Sequence, residues 1–205
     1  MFNKKELIEH LENGTRVLQS DNLKDAFTTI DRGDFVSEDH REEAYEDYPL
    51  PLGNTGQTIS QPTTVAFMFE LLNPQKGEKI LDVGTGSGWT TALLAHIVGE
   101  SGKVYGVEII PKLVELGEKN LKKYNFKNAE IIKADTEIGL EKEAPFDRIL
   151  VSAAAEDLPK KLMEQLKVGG TMVLPVYDNL WQIKKSEGGI DIKKFERFEF
   201  VPLIT

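Results

Sequence analysis

Three glycines at alternate positions, Gly84, Gly86 and Gly88, follow the short apolar run Ile80-Leu-Asp-Val83 and precede the helical pattern Thr90-Thr-Ala-Leu-Leu-Ala-His-Ile-Val98. A strand that turns through glycine into a helix lets backbone approach a ligand closely, because no Cβ intervenes. The spacing narrows the ligand. A dinucleotide fingerprint needs its third glycine at position 89, which is Trp89, and no lysine stands in the turn to hold a triphosphate. The acid Asp82 lies inside the strand, where it either holds the turn or reaches a charged end of the ligand.

A second carboxylate falls at a telling distance. Glu108 ends the run Val104-Tyr-Gly-Val-Glu-Ile109, 22 positions after Gly86. An acid at this separation can accept hydrogen bonds from both hydroxyls of a ribose, since one carboxylate offers two oxygens. An exposed strand-end acid is the plainer alternative. Asp135 follows a third apolar run, Ala129–Ala134, where an acid can cap the next segment. Ser152, after the run Phe146–Val151, is followed by Ala153 and Ala154, and small side chains there leave room beside a ligand.

The strand–Gly–helix order D-x-G-x-G-x-G resembles the first motif of the class I S-adenosylmethionine-dependent methyltransferases. That resemblance implies S-adenosylmethionine as cofactor and S-adenosylhomocysteine as product, with Asp82, Gly84, Thr85, Gly86, Ser87, Gly88, Glu108, Asp135, Thr136 and Ser152 at the cofactor. Three further passages are more specific. They are Gly56-Gln-Thr-Ile-Ser-Gln-Pro62, Glu143-Ala-Pro-Phe-Asp-Arg-Ile-Leu-Val-Ser-Ala-Ala-Ala155 and Leu166-Lys-Val-Gly-Gly-Thr-Met-Val-Leu-Pro-Val176. With the glycine motif they resemble the protein-L-isoaspartate O-methyltransferase family along essentially the whole chain.

The resemblance implies methyl transfer to the carboxylate of an isoaspartyl residue in a damaged protein or peptide; the ester then collapses unaided to a succinimide. It makes Ser60 the active-site serine, with Thr58 and Ile59 beside it and Val176, Tyr177 and Gln182 as further acceptor contacts. The chain departs from the family around the acceptor. Asn54-Thr55-Gly56 lengthens a loop by one residue, and Tyr177 stands where a glycine is usual. Two other readings stay open at this point. One is a methyltransferase of the same scaffold acting on another carboxylate or peptide, and the other is a cofactor-binding adaptor without activity.

Isoaspartyl chemistry suits the residues at hand. A carboxylate is ionised at neutral pH and needs no general base. The chain has no cysteine and three scattered histidines, which excludes disulfides, thiolate nucleophiles and cysteine-based zinc sites and makes a metal unexpected. Ser60 as a covalent nucleophile would need a base partner, and no such pattern is present.

The 205 residues bound the answer to one compact α/β unit. Their make-up, 40% hydrophobic and 29% charged with net charge −9, is that of a globular protein rather than a duplex binder. Basic pairs such as Lys122-Lys123 and Lys184-Lys185 read as solvated faces. No apolar run nears 18 residues and Met1-Phe-Asn-Lys-Lys-Glu6 leads into no signal-like segment, so the expectation is a cytoplasmic monomer without membrane or nucleic-acid partners.

The elements follow from periodicity. Helices are expected over 4–13, from Ser20 or Asp21 to Ile30, and over 63–72; the irregular stretch 45–62 between them reads as a functional loop or a surface connector. From Lys79 onward strands and helices alternate. Strands fall at 79–83, 104–109, 129–134, 146–151 and 171–176, and a helix over 158–166 is closed by Gly169-Gly170. Two runs, 180–185 and 190–201, then form a hairpin about Glu187-Gly-Gly189. The expected fold is a doubly wound, mostly parallel, seven-stranded Rossmann-like sheet with an antiparallel C-terminal edge and a small helical N-terminal extension. Residues 1–78 would carry the N-terminal helices and acceptor loop, packed on a cofactor-binding core of 79–205.

Overall fold

The computed structural model describes residues 1–135 and 137–204. Helix α1 (Lys4–Glu9) begins with a capping box, in which Asn3 accepts from the Glu6 N–H and the Glu6 carboxylate accepts from the Asn3 N–H. It continues as a π turn through His10–Gly14. Helix α2 (Asp21–Thr29) buries Leu23, Ala26 and Phe27, as its spacing requires. A 3₁₀ turn, Arg32–Asp34, follows directly. Strands β1 (Leu50–Pro51) and β2 (Thr58–Ile59) pair antiparallel, so the stretch expected to be irregular is a small hairpin standing apart from the main sheet. Helix α3 (Pro62–Leu72) starts with proline in its first turn, where the missing N–H costs nothing.

The main sheet is built from β3 (Lys79–Val83), β4 (Lys103–Glu108), β5 (Ala129–Lys133), β6 (Phe146–Val151), β7 (Leu166–Val176), β8 (Asn179–Ser186) and β9 (Gly189–Glu196). Their order is β5-β4-β3-β6-β7-β8-β9, with β3 to β7 parallel and β8 and β9 antiparallel. Helices α4 (Trp89–Val98), α5 (Pro111–Leu121) and α6 (Lys160–Gln165) make the crossovers. The order reverses beside β3. In such a sheet that is where a crevice opens beyond the strand ends.

Alternation along β3 divides the core. Ile80 packs with Leu7, Phe27, Phe69 and Leu93 on one face, and Leu81 and Val83 pack with Ile149, Leu162 and Met172 on the other. The N-terminal helices share the first of these layers with α3 and α4. Phe27 meets both Phe69 and Trp89 edge-on, with ring centroids 6.2 Å and 5.7 Å apart.

Two sequence expectations need correction. The helix expected to reach Leu166 ends at Gln165, and β7 begins at Leu166, five residues before the expected start. Gly169 and Gly170 therefore lie within the strand, where the pairing with β6 shifts register between Phe146 and Arg148. A Cβ at Gly170 would come 2.9 Å from the Asp147 carbonyl oxygen, so glycine is needed there for close approach and not to stop a helix. Likewise the last strand ends at Glu196 rather than at Val201. Arg197 adopts a left-handed φ of 72°, and the chain turns back so that Pro202 bridges Ala154.

Candidate active site

A cleft of about 950 Å³, counting the space that opens to solvent, lies beyond the carboxyl ends of β3, β4, β5 and β6. Its floor is the glycine turn. Gly84 and Gly86 hold φ of 75° and 55°, values other residues adopt only with strain. The N–H groups of Gly84 and Thr85 bond the Val107 carbonyl at 2.9 and 3.2 Å, and the Gly88 N–H closes the turn onto Thr85. Gly84, Thr85, Gly86 and Ser87 all line the cleft.

Glu108 is buried at the cleft wall and organises the turn. One of its oxygens accepts from the Gly86 N–H and the other from the Ile110 N–H, each at 2.9 Å. A carboxylate can accept about four hydrogen bonds. Glu108 is therefore fixed in position and still has capacity for two hydroxyls of a ligand. Asp135, Glu137, Ser152 and Ala153 complete this side. Among the described residues the cleft is lined by three carboxylates and by no lysine or arginine. That charge pattern suits a cationic ligand such as a sulfonium and disfavours a phosphate.

Asp82 and Gly88 do not line the cleft. Period-two alternation puts Asp82 on the Ile80 face, under α4, and it is 0% exposed. One oxygen accepts from the Thr90 and Thr91 hydroxyls, both at 2.7 Å, and the other has no partner among the described residues. Burial raises its pKa to about 6, against the pull of those hydroxyls. These bonds tie the strand to the start of the helix, and Asp82 does not line the cleft. Gly88 is a packing position. A Cβ there would come 3.1 Å from both the Gly117 carbonyl and the Ile131 side chain.

The opposite wall comes from the small hairpin, whose outgoing strand presents Gln57, Thr58, Ile59 and Ser60 to the cleft. The Leu52 N–H bonds the Gln57 carbonyl at 2.8 Å, and the Thr55 hydroxyl bonds the Leu52 carbonyl at 2.8 Å, so the lengthened tip is internally closed. Just past Ser60, Asp47 accepts from the Thr63 N–H at 2.9 Å and from the Thr63 hydroxyl at 2.6 Å, supplying the cap that α3 lacks locally.

Val176, Tyr177 and Gln182 do not line this cleft. Val176 is buried and bridges Ala155, and Tyr177 is 68% exposed at the β7–β8 turn with φ 52°. The Gln182 amide donates to the Leu71 carbonyl at 2.5 Å, which anchors the end of α3. Thr136 lies outside the described residues.

Sequence reasoning missed several lining residues. Ile109, Ile110 and Leu113 follow Glu108 and form an apolar wall with Ile138. Their signal was the apolar pair directly after the strand-end acid. Trp89 and the returning segment Val201-Pro-Leu-Ile204 also border the cleft. That segment is held by the Ala154 N–H on Val201 and the Leu203 N–H on Ala154, both at 2.8 Å. No local pattern predicts that return.

The family model for protein-L-isoaspartate(D-aspartate) O-methyltransferase matches residues 2–205. A protein-L-isoaspartate O-methyltransferase of Archaeoglobus fulgidus is 48% identical over 183 residues, covering 87% of this chain and 83% of that one. One from Methanopyrus kandleri is 44% identical, with 97% and 89% covered. A Plasmodium falciparum structure described as a beta-aspartate methyltransferase in complex with S-adenosyl-L-homocysteine superposes with a TM-score of 0.88 at 28% identity, covering 100% of this chain and 99% of that one. With its crevice, glycine turn and Ser60 wall in the same fold, this chain belongs to the protein-L-isoaspartate O-methyltransferase family.

Proposed function

We propose that the chain methylates the side-chain-like carboxylate of L-isoaspartyl residues in damaged proteins, using S-adenosylmethionine, with the cofactor along Gly84–Ser87 and Glu108 and the acceptor beside Ser60. One observation carries the site assignment. The glycine turn and the Ser60 strand line one and the same cleft, which carries carboxylates and is free of basic side chains among the described residues.

When bound, S-adenosylmethionine supplies an activated methyl group and leaves as S-adenosylhomocysteine. The residues present fit it. The glycines keep Cβ atoms out of the turn, Glu108 has unused acceptor capacity for a ribose, and Ile109, Ile110 and Leu113 offer an apolar wall to a flat base. Asp135, in the lining of the same cleft, is the acceptor for an amino group in this reading.

On the acceptor side the chain has little chemistry to do. The incoming carboxylate is already ionised, so no proton need be removed. The Ser60 hydroxyl donates to one carboxylate oxygen and leaves the other free to attack. Thr58 and Ile59 hold the extended backbone around it. With water excluded, aligning the two reactants is the main source of rate, worth at most about 7–11 kcal/mol.

In the same reading the chain works as a cytoplasmic monomer on protein substrates, and residues 1–78 form the acceptor side of the 79–205 core. Its net charge of −9 supports a role without nucleic acid. Among the described residues no helix is long and apolar enough to cross a membrane, and no cluster of three or more acids and histidines could hold a metal.

The test is methyl transfer from labelled S-adenosylmethionine to paired peptides that differ only in carrying isoaspartate or aspartate. Base-labile label on the isoaspartyl peptide alone is expected. Label on neither peptide, with S-adenosylhomocysteine still bound, would overturn the acceptor assignment and leave the cofactor site standing.

A further inference from the structure

Arg32 is 2% exposed, yet its hydrogen bonds all go to backbone carbonyls. One terminal nitrogen donates to Ala44 at 2.6 Å, and the other donates to Tyr48 and to Ser60, both at 3.2 Å. The guanidinium lies 5.4 Å from the centre of the Trp89 ring, and its Nε has no partner among the described residues. Burying a cation is costly unless its surroundings compensate, and an apolar side chain of similar volume would avoid that cost. Burial does lower the Arg32 pKa, to about 10, while Asp47 pulls it back up.

The three carbonyls explain what the cation does. Ala44 and Tyr48 precede the hairpin of β1 and β2, and Ser60 directly follows it. One planar donor group thus ties the two ends of the hairpin together and seats them on Trp89, a residue of the cleft. Lysine, as a point charge on a flexible stem, cannot hold three carbonyls in this fixed arrangement.

Arg32 is itself held firmly. The Asp31 carboxylate accepts from the Gly33 N–H and from the Tyr45 hydroxyl, each at 2.8 Å. The Tyr124 hydroxyl accepts from the Asp31 N–H and donates to Asp34, also at 2.8 Å each. The 3₁₀ turn is therefore anchored to the residues just after α5 before its arginine reaches across. In the sequence, Asp31-Arg-Gly-Asp34 reads only as the end of a helix.

We propose that Arg32 is a positioning residue for methyl transfer: by clamping the carbonyls of Tyr48 and Ser60 over Trp89, it sets where the Ser60 hydroxyl stands relative to the cofactor cleft. This rests on the reading of Ser60 as the acceptor contact. The clamp acts through Ser60 and touches neither reactant.

The experiment compares the full-length chain with Arg32→Lys and Arg32→Met. It measures kcat and KM for an isoaspartyl peptide, the Kd of S-adenosylhomocysteine and the thermal midpoint. A displacement of about 1 Å at a reacting site can cost about 100-fold in rate. The expected result is a loss in kcat/KM of about 100-fold for Arg32→Met and about tenfold for Arg32→Lys, with Kd changed by less than about threefold. Should Arg32→Met not fold, Arg32→Lys decides by the same split between turnover and cofactor affinity. A lowered midpoint with kcat/KM intact in the folded protein would overturn the clamp. So would parallel losses in turnover and cofactor affinity.

If the wild-type chain leaves isoaspartyl peptides unmethylated, the proposed function fails instead. The clamp is then judged by amide exchange. Faster exchange at Thr58–Ser60 with Leu81–Val83 unchanged supports it, and unchanged exchange at both overturns it.

Discussion

The two walls of the cleft are built by different means. The cofactor wall is an extension of the main sheet: Gly84–Ser87 continue β3, Glu108 ends β4, and the two are joined by the Gly86 N–H on the Glu108 carboxylate. The acceptor wall is a hairpin with two-residue strands that, among the described residues, pairs with no other strand. Side chains of distant origin hold it: Arg32 on Tyr48 and Ser60, and Asp47 on Thr63. Position on the first wall is inherited from a seven-stranded sheet, while the second is packed on the core through Leu50, Leu52 and Ile59 and pinned at its ends by a few polar clamps. The first wall should therefore tolerate loss of N-terminal contacts, and the second should move without disturbing cofactor binding.

Four substitutions sharpen or break this contrast, beginning with the largest expected effect. Glu108→Ala orphans the Gly86 and Ile110 N–H groups and would remove the two proposed ribose bonds, so S-adenosylhomocysteine should bind roughly 100- to 1,000-fold more weakly, about 3–4 kcal/mol. Calorimetry reads this directly, and an unchanged Kd would remove Glu108 from the cofactor wall.

Asp82→Asn tests the buried carboxyl through stability. Burial lifts its pKa from 3.8 to about 6 in the folded chain. Between those values the folded state keeps the proton and the unfolded chain does not. Stability contributed by this group is therefore full below about pH 4, falls as pH rises to about 6, and is lost above. The advantage of Asn over Asp should grow by roughly 2–3 kcal/mol from pH 4 to pH 7 in denaturant titrations. A pH-independent difference would mean that the carboxyl ionises normally.

Ser60→Ala should lower kcat/KM by about ten- to a hundredfold, the worth of one hydrogen bond to a charged group, and leave the S-adenosylhomocysteine Kd within about threefold. Equal losses in both would join the two walls into one unit. Asp47→Ala has the smallest expected effect. Loss of a cap costs about 1–2 kcal/mol, so the thermal midpoint should fall by about 2–8 °C with cofactor affinity unchanged.

The same contrast governs how far the sequence could be read. The cofactor wall was legible because each of its parts lies next to a strand. Gly84, Gly86 and Glu108 are placed by the end of an apolar run, and parallel pairing of β3 with β4 then brings them together. Asp82 was harder, since a buried acid under a helix and an acid at a ligand look alike in one dimension. The acceptor contacts assigned to Val176, Tyr177 and Gln182 lie off the cleft. The turn after β7 places Tyr177 outward, and the Leu71 carbonyl claims Gln182.

By itself, the sequence determined the alternation of strands and helices, the glycine turn, the strand-end carboxylate and the Thr58-Ile-Ser60 element. These depend on period, spacing and residue type, which act over a few neighbours. Only the tertiary structure decided that Arg32 reaches Ser60 across 28 positions, that Gly88 serves packing, and that Val201–Ile204 returns to the cleft. Such partners are chosen by which surfaces meet when the core closes, and no local pattern carries that information.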